Sequence, residues 1–221
     1  MIIDMHVHTK SSLDSPATAE DYCKAIKRFK KYHPFDGIVL TEHRVYNEEE
    51  DEEYQKLSEK YNVLILKGIE VDTDFGHMLL YGVTRKFLKK MDISSRRLET
   101  KKLVPMIMDY GGIAVPAHPF RESSFGGVLE AKREEIKKVT VIEEFNGVNA
   151  KEENKRASLL VSGNGLHGIG GSDAHFANRH WFLTCATKFK NPIKNNEDLV
   201  RELKNGAFRP ISLDNSVLGE F

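Results

Sequence analysis

The chain has 221 residues, with 33 Lys and Arg balancing 33 Asp and Glu, so its formal net charge is zero. That length suits one domain with a substantial core, and the balance excludes a protein that wraps nucleic acid or a membrane surface by overall charge. The two cysteines, Cys23 and Cys185, lie far apart in no zinc-binding spacing, which argues against a disulfide scaffold and leads us to expect a reducing cytoplasm. Residues 1–4 enter the first apolar run directly, so no secretory leader is expected, and no apolar stretch approaches the length of a membrane span.

Apolar, β-branched runs at 1–7, 37–40, 63–71, 78–83, 112–115, 139–145, 168–170 and 183–189 predict strands. Most are continuous rather than alternating, as in strands buried on both faces. After the first run, Tyr22, Ala25, Ile26 and Phe29 repeat at i, i+3, i+4 and i+7 behind a capping box of Thr18 and Asp21, which predicts a helix. The acidic run 48–53 reads as the opening of a solvated helix, its carboxylates at the positive end of the dipole. Residues 72–76 read as a hairpin turn, and the basic residues Lys86, Lys89, Lys90, Arg96, Arg97, Lys101 and Lys102 as a solvated helix face. Further helical stripes occur at Ala157, Leu160 and Val161, and at Leu199, Val200 and Leu203, the last ending at Asn205-Gly206 as a C-cap. Strands alternating with helices imply parallel βα units. Seven or so units fit the length, with 78–83 as an additional strand, because a full eight-unit barrel needs about 250 residues. The expectation is therefore an α/β fold of one domain over 1–221, with a tail from about 207 that packs on its own barrel or on a neighbour.

Four runs end in metal-binding side chains: Asp4-Met5-His6-Val7-His8, Thr41-Glu42-His43, Ala117-His118-Pro119 and Ser172-Asp173-Ala174-His175. His6 and His8 stand two apart on a strand, so both rings leave one face and can share an ion, with Asp4 on the same side to orient a ring. An HxH pair alone is a weak signal; its repetition as a ligand at the carboxyl edge of several strands is how a parallel barrel assembles an active site. No GxSxG elbow, P-loop or dinucleotide fingerprint competes.

These motifs resemble those of the PHP (polymerase and histidinol phosphatase) domain, a family of trinuclear-metal phosphoesterases. The resemblance rests on residues 4–9 with Ser12-Leu13-Asp14, on Thr41-Glu42-His43, Gly68-Ile69-Glu70-Val71, His77-Met78-Leu79-Leu80-Tyr81-Gly82 and Ala117-His118-Pro119, and on Gly171-Ser172-Asp173-Ala174-His175, in family order. It implies a distorted (β/α)7 TIM-like barrel of mostly parallel strands with the metal site at the C-terminal face. It also implies up to three divalent ions (zinc, manganese or iron): His6, His8, Glu70 and Asp173 on the first, Glu70, His77 and His118 on the second, and Asp14, His43 and His175 on the third. Spacing alone did not single out Asp14, Glu70 or His77. Glu42 stands where the family more often has Asp, and is expected to support the ligands rather than join them.

Metal ions near a phosphate ester offset its charge and generate hydroxide at neutral pH, so the expected reaction is hydrolysis of a small phosphomonoester or nucleotide phosphate by metal-bound hydroxide. Glu70 and Asp173 are the carboxylates nearest that chemistry. Arg121, three residues after His118, is the first candidate to bind the phosphate and Arg179 the second, because a guanidinium donates two parallel hydrogen bonds. His180 and Trp181 are open between pocket lining and packing, and His33 and His167 read as structural. Residues 122–127 are open between a lid and an ordinary connection, and Glu144 and Asn146 between orienting the site and merely ending a strand. Three alternatives stand beside this reading: a nuclease acting on RNA or DNA ends, which needs the basic cluster; a non-catalytic metal-binding regulatory module; and amide or C–N hydrolysis. Nucleic acid is the less favoured partner, no membrane is expected, and oligomeric state is not readable.

Overall fold

The computed structural model describes residues 1–121, 137–179 and 181–213. Nine strands are formed among them: β1 (Ile2–Val7), β2 (Gly37–His43), β3 (Leu64–Thr73), β4 (Gly76–Tyr81), β5 (Ile113–Pro116), β6 (Val141–Asn146), β7 (His167–Gly171), β8 (Cys185–Phe189) and β9 (Phe208–Ser212). The helices are α1 (Ala19–Phe29), α2 (Asp51–Tyr61), α3 (Arg85–Leu88), α4 (Thr100–Asp109), α5 (Lys151–Asn164) and α6 (Asn196–Asn205).

Seven strands form one sheet in the order β5-β4-β3-β2-β1-β8-β9, and β6 pairs with β7 in parallel. The pairs β1–β2 and β2–β3 are parallel, while β3–β4, β4–β5, β1–β8 and β8–β9 are antiparallel. Only β4 and β8 therefore oppose the others, and the sheet curls into a mostly parallel half-barrel. The β6–β7 pair continues the curl, with a parallel bridge between Val7 and Ala174 joining the end of β1 to the residues that follow β7.

Apolar packing follows the layers. One cluster takes Ile3, Met5, Val39, Leu66, Leu79, Val115, Val141 and Ile169 from β1 to β7 and is closed by Leu199, Val200 and Leu203 of α6. A second holds α1 and α2 against the sheet through Tyr22, Ile26, Phe29, Tyr54 and Leu57, and a third packs α4 and α5 through Leu103, Ile107, Ala157 and Leu160. The capping box of α1 is present: Thr18 Oγ1 accepts from the Asp21 amide, and Asp21 Oδ2 accepts from the Thr18 amide. Gly206, at φ 68°, ends α6 in the left-handed conformation that glycine adopts without strain.

Two elements were not anticipated. The strand β9 falls where a tail was expected, and Ile211 and Leu213 pack against the cluster that holds α1. The helix α4 carries Pro105 inside it, a residue that usually marks a break. The basic residues 86–102 do not share one helix face as expected; they spread over α3, a loop and the start of α4. Residues 122–127, His180 and the tail beyond 213 lie outside the described residues. Among the described residues, no helix is long and apolar enough to cross a membrane.

Candidate metal centre

Successive strand ends deliver the donors to one cup. Ile3 and Met5 point into the barrel, yet His6 and His8 occupy the cup above them, so the inward alternation changes parity along β1. The register shows how: between Asp4 and Val7, β1 advances three residues while β2 advances two, a β-bulge of the kind that re-aims side chains near sites. Strand β6 repeats the device, two residues against one between Glu143 and Phe145. Beyond β5 and β7, His118 (φ 27°) and Asp173 (φ 56°) adopt left-handed backbone conformations, which side chains other than glycine disfavour and which concentrate at functional sites. Leu13, at φ 68°, likewise turns Asp14 back over the cup.

Glu70 of β3 sits at the centre, 1% exposed. Its Oε1 lies 2.9 Å from His77 Nδ1 and 3.1 Å from His118 Nε2. Its Oε2 lies 3.4 Å from His6 Nε2, 3.3 Å from His8 Nε2 and 3.0 Å from His43 Nδ1. The two oxygens thus face different groups of rings. Asp173 Oδ1 is 3.4 Å from His6 Nε2 and 3.3 Å from His8 Nε2, and Asp14 Oδ2 is 3.2 Å from His43 Nε2 and 3.5 Å from His175 Nε2. Donor atoms of His6, His8 and Glu70, of Glu70, His77 and His118, and of His8, His43 and His175 each gather within 4.8 Å.

The electrostatics fit a cation. Burial alone would raise the pKa values of Glu70 and Asp173, but the surrounding imidazoles, joined for Asp173 by Arg121, hold both well below the usual carboxylate range. Burial pulls His6 down, and Asp173, Glu143 and Glu70 outweigh it. Glu70 Oε2, His43 Nδ1 and His118 Nδ1 are nevertheless buried without a hydrogen-bond partner, and His6 Nε2 lies 3.0 Å from His8 Nε2. Buried polar atoms that lack partners call for an explanation, and imidazole with carboxylate suits zinc, manganese or iron.

A family profile described as "PHP domain" matches residues 4–160, and one described as "PHP-associated" matches residues 151–208. The chain belongs to the PHP domain family. Curated proteins yield no significant match to this PHP domain. Among solved structures it is similar to PsfC from Pseudomonas syringae PB-5123, with a TM-score of 0.69 and 18% identity over 97% of this chain and 92% of that one. It is also similar to a two-domain protein from Bacteroides vulgatus ATCC 8482 containing a predicted PHP-like metal-dependent phosphoesterase, with a TM-score of 0.64 and 16% identity over 96% of this chain. A third is Endonuclease Q in complex with a 27-mer duplex bearing an abasic lesion, with a TM-score of 0.69 and 16% identity over 97% of this chain. The PHP domain spans 65% and 60% of the lengths of the latter two chains. At these identities the likeness establishes the shared fold, and the family identifies the protein as a metal-dependent hydrolase.

All nine ligand positions expected from the sequence converge on this cup of the PHP domain. Arg121 lines the same cavity of about 200 Å3, beside His43, Glu70, His77, His118, Asp173 and His175. Its Nη2 donates to Asp173 Oδ2 at 2.5 Å and its Nη1 to Asn146 Oδ1 at 3.4 Å. Arg179 is not part of that lining; its guanidinium stacks over Phe176 and Trp181. Trp181 packs beside the α1 cluster, so of its two open readings the structure favours packing. Glu42 supports the ligands as expected: it accepts from the Thr9 amide and from Ser12 Oγ, and Ser12, having donated its one proton, accepts from His8 Nδ1 at 3.2 Å.

Two supporting roles fall elsewhere than the sequence suggested. Asp4 Oδ1 accepts from the backbone amides of Ser172 and His6, at 2.8 and 3.2 Å, rather than from a ring. Glu144 turns away from the cup and accepts from Ser158 Oγ of α5. The carboxylate that reaches the site is Glu143, with Asn146 beside it, so that of the two open readings of Asn146 the structure favours the one at the site. Counting back by two from Asn146 selects Glu144; only the bulge in β6 brings Glu143 inward.

Proposed function

We propose that this chain uses divalent cations to hydrolyse the phosphate of a small phosphomonoester or a nucleotide. The observation that carries the reading is a buried carboxylate, Glu70, ringed by five imidazoles, with Arg121 lining the same small cavity. His6, His8, Glu70 and Asp173 would hold one ion, Glu70, His77 and His118 a second, and Asp14, His43 and His175 a third; His8 also lies near enough to His43 and His175 to share it. When bound, such ions supply Lewis acidity that offsets the charge of a phosphate ester and makes a water nucleophile available at neutral pH.

The chain's own contribution is to hold and orient. Arg121 has five N–H donors, and among the described residues Asp173 engages one and Asn146 another, so the others can serve phosphate oxygens. A cavity of about 200 Å3 falls below the roughly 300–1,000 Å3 typical of drug-sized ligands. That size supports entry of a phosphoryl group, with the alcohol left at the rim near Val148, which is 47% exposed. A terminal phosphate fits this arrangement more readily than an internal diester.

Protein loaded with manganese or zinc is expected to cleave p-nitrophenyl phosphate or nucleotides, His118→Ala to abolish cleavage, and Arg121→Ala to raise KM. Metal-replete, folded protein that is inert across a broad phosphoester panel would overturn the proposal. One observation favours a nuclease as the second reading: Leu98 bridges Thr73 at the β3–β4 hairpin, which brings exposed Arg96 and Arg97 beside the strand that carries His77. Oligonucleotide binding that weakens steeply with salt would support it.

A further inference from the structure

The carboxylate of Glu143 is fully buried and has no role in the ligand set. Burying a charge is costly unless it is paired and hydrogen-bonded, and this one is. Its Oε1 lies 2.9 Å from His6 Nδ1; its Oε2 accepts from the His118 backbone amide at 2.7 Å and from Asn146 Nδ2 at 3.0 Å. The same Asn146 nitrogen donates to Asp173 Oδ2 at 3.3 Å. One side chain therefore touches the ring of one proposed ligand, the strained backbone of a second and, through an amide, the carboxylate of a third. The rings of His6 and His118 stack with centroids 6.0 Å apart and planes 18° apart, on either side of the Glu70 carboxylate. Gly171 leaves the room: a Cβ there would come within 3.0 Å of Glu143 Oε1.

We propose that Glu143 is a positioning residue that fixes His6 as the Nδ1–H tautomer, so that Nε2 presents its lone pair to the cup, and that anchors His118 in its left-handed conformation. A carboxylate oxygen accepts, so the proton of the His6 contact lies on Nδ1. His6 and His118 belong to different proposed ion sites, and Glu143 registers both at once. This inference rests on the metal-binding reading above, but neither its argument nor its test involves turnover.

The test uses the zinc-loaded protein and its Glu143→Gln variant. An amide offers one acceptor oxygen and one donor nitrogen, so the substituted side chain keeps either the His6 contact or the His118 and Asn146 contacts, never all three. Zinc affinity, read by competition with a chromophoric chelator, is expected to fall about 10- to 100-fold, as when a partner of a metal-bound histidine is removed. Glu144→Gln, on the same strand but turned toward α5, is expected to keep wild-type affinity. In the wild type, long-range 1H–15N correlation of the histidine rings should show His6 protonated at Nδ1 and metallated at Nε2. That measurement decides the matter even if Glu143→Gln does not fold. Wild-type His6 protonated at Nε2, or undiminished affinity in folded Glu143→Gln, would overturn this inference alone, whereas wild-type protein that takes up no zinc would overturn the metal reading with it.

Discussion

Gly171 is where β7 comes closest to the cup, and replacing it with alanine tests that packing. A Cβ at this position would lie 2.5 Å from His6 Cβ, 2.8 Å from His6 N and 3.0 Å from Glu143 Oε1. Ordinary contact begins at 3.4 Å, so β7 and β1 must separate by about 0.9 Å. The backbone atoms involved cannot swing aside, and separation would stretch the 2.7 Å bond from the Asp173 amide to the His6 carbonyl. Overpacking of this kind costs about 1–3 kcal/mol, which for a chain of this size lowers Tm by roughly 2–12 °C. Because His6 and Asp173 move together, zinc affinity should fall at least tenfold, since ligand distances hold only within about 0.2 Å. Gly163→Ala is the control: it lies in α5, a Cβ there meets nothing within 4 Å, and the exchange should stabilise by about 0.5–1 kcal/mol. Thermal unfolding and zinc titration of both variants would refute the packing argument if Gly171→Ala matched the wild type in Tm and affinity.

Three further outcomes are expected. Burial pulls His8 down, but the hydrogen bonds its ring donates to Asp173 and Glu70 carry it up to about 9. Without a cation it is therefore protonated at pH 7, so zinc binding should release protons and tighten as pH rises from 6 toward 8.5; calorimetry in buffers of different ionisation enthalpy checks this, and pH-independent affinity would contradict it. Thr18→Ala removes the α1 capping box and should cost about 1 kcal/mol in urea unfolding. Burial pushes both thiols, Cys23 and Cys185, up to about 12, so Ellman's reagent at pH 8 should find neither in the native protein and both in denaturant.

The strands and six of the ligands (His6, His8, His43, His118, Asp173 and His175) were legible in the sequence because they depend on local chemistry, whereas Asp14, Glu70 and His77 came only with the family resemblance. Continuous apolar runs such as 37–40 belong to strands covered on both faces, and a histidine or acid at a strand's carboxyl edge has few other uses when the pattern recurs. What stayed hidden depends on how strands meet. Counting in steps of two puts Asp4 on the side of His6 and makes Glu144, rather than Glu143, the candidate beside Asn146, and each count crosses a bulge whose extra residue is defined only by the partner strand. Strand β9 escaped notice for a related reason: Phe208, Arg209 and Pro210 carry no alternating pattern, and their pairing with β8 is what makes them a strand. The sequence ranks Arg121 ahead of Arg179 only by its place after His118, and it is the fold that sets one against Asp173 and the other across Phe176.

The β3–β4 hairpin turns on two residues, Asp74 and Phe75, between paired Thr73 and Gly76, so that Asp72 opposes His77 and Glu70 meets His77 on the diagonal. Side chains alternate across a sheet, and a slip of one residue would send His77 to the opposite surface. The turn therefore works as a ruler whose span is one of the cup's own dimensions. A single inserted or deleted residue there should be far less tolerated than in the loop that joins α5 to β7, where no donor depends on length.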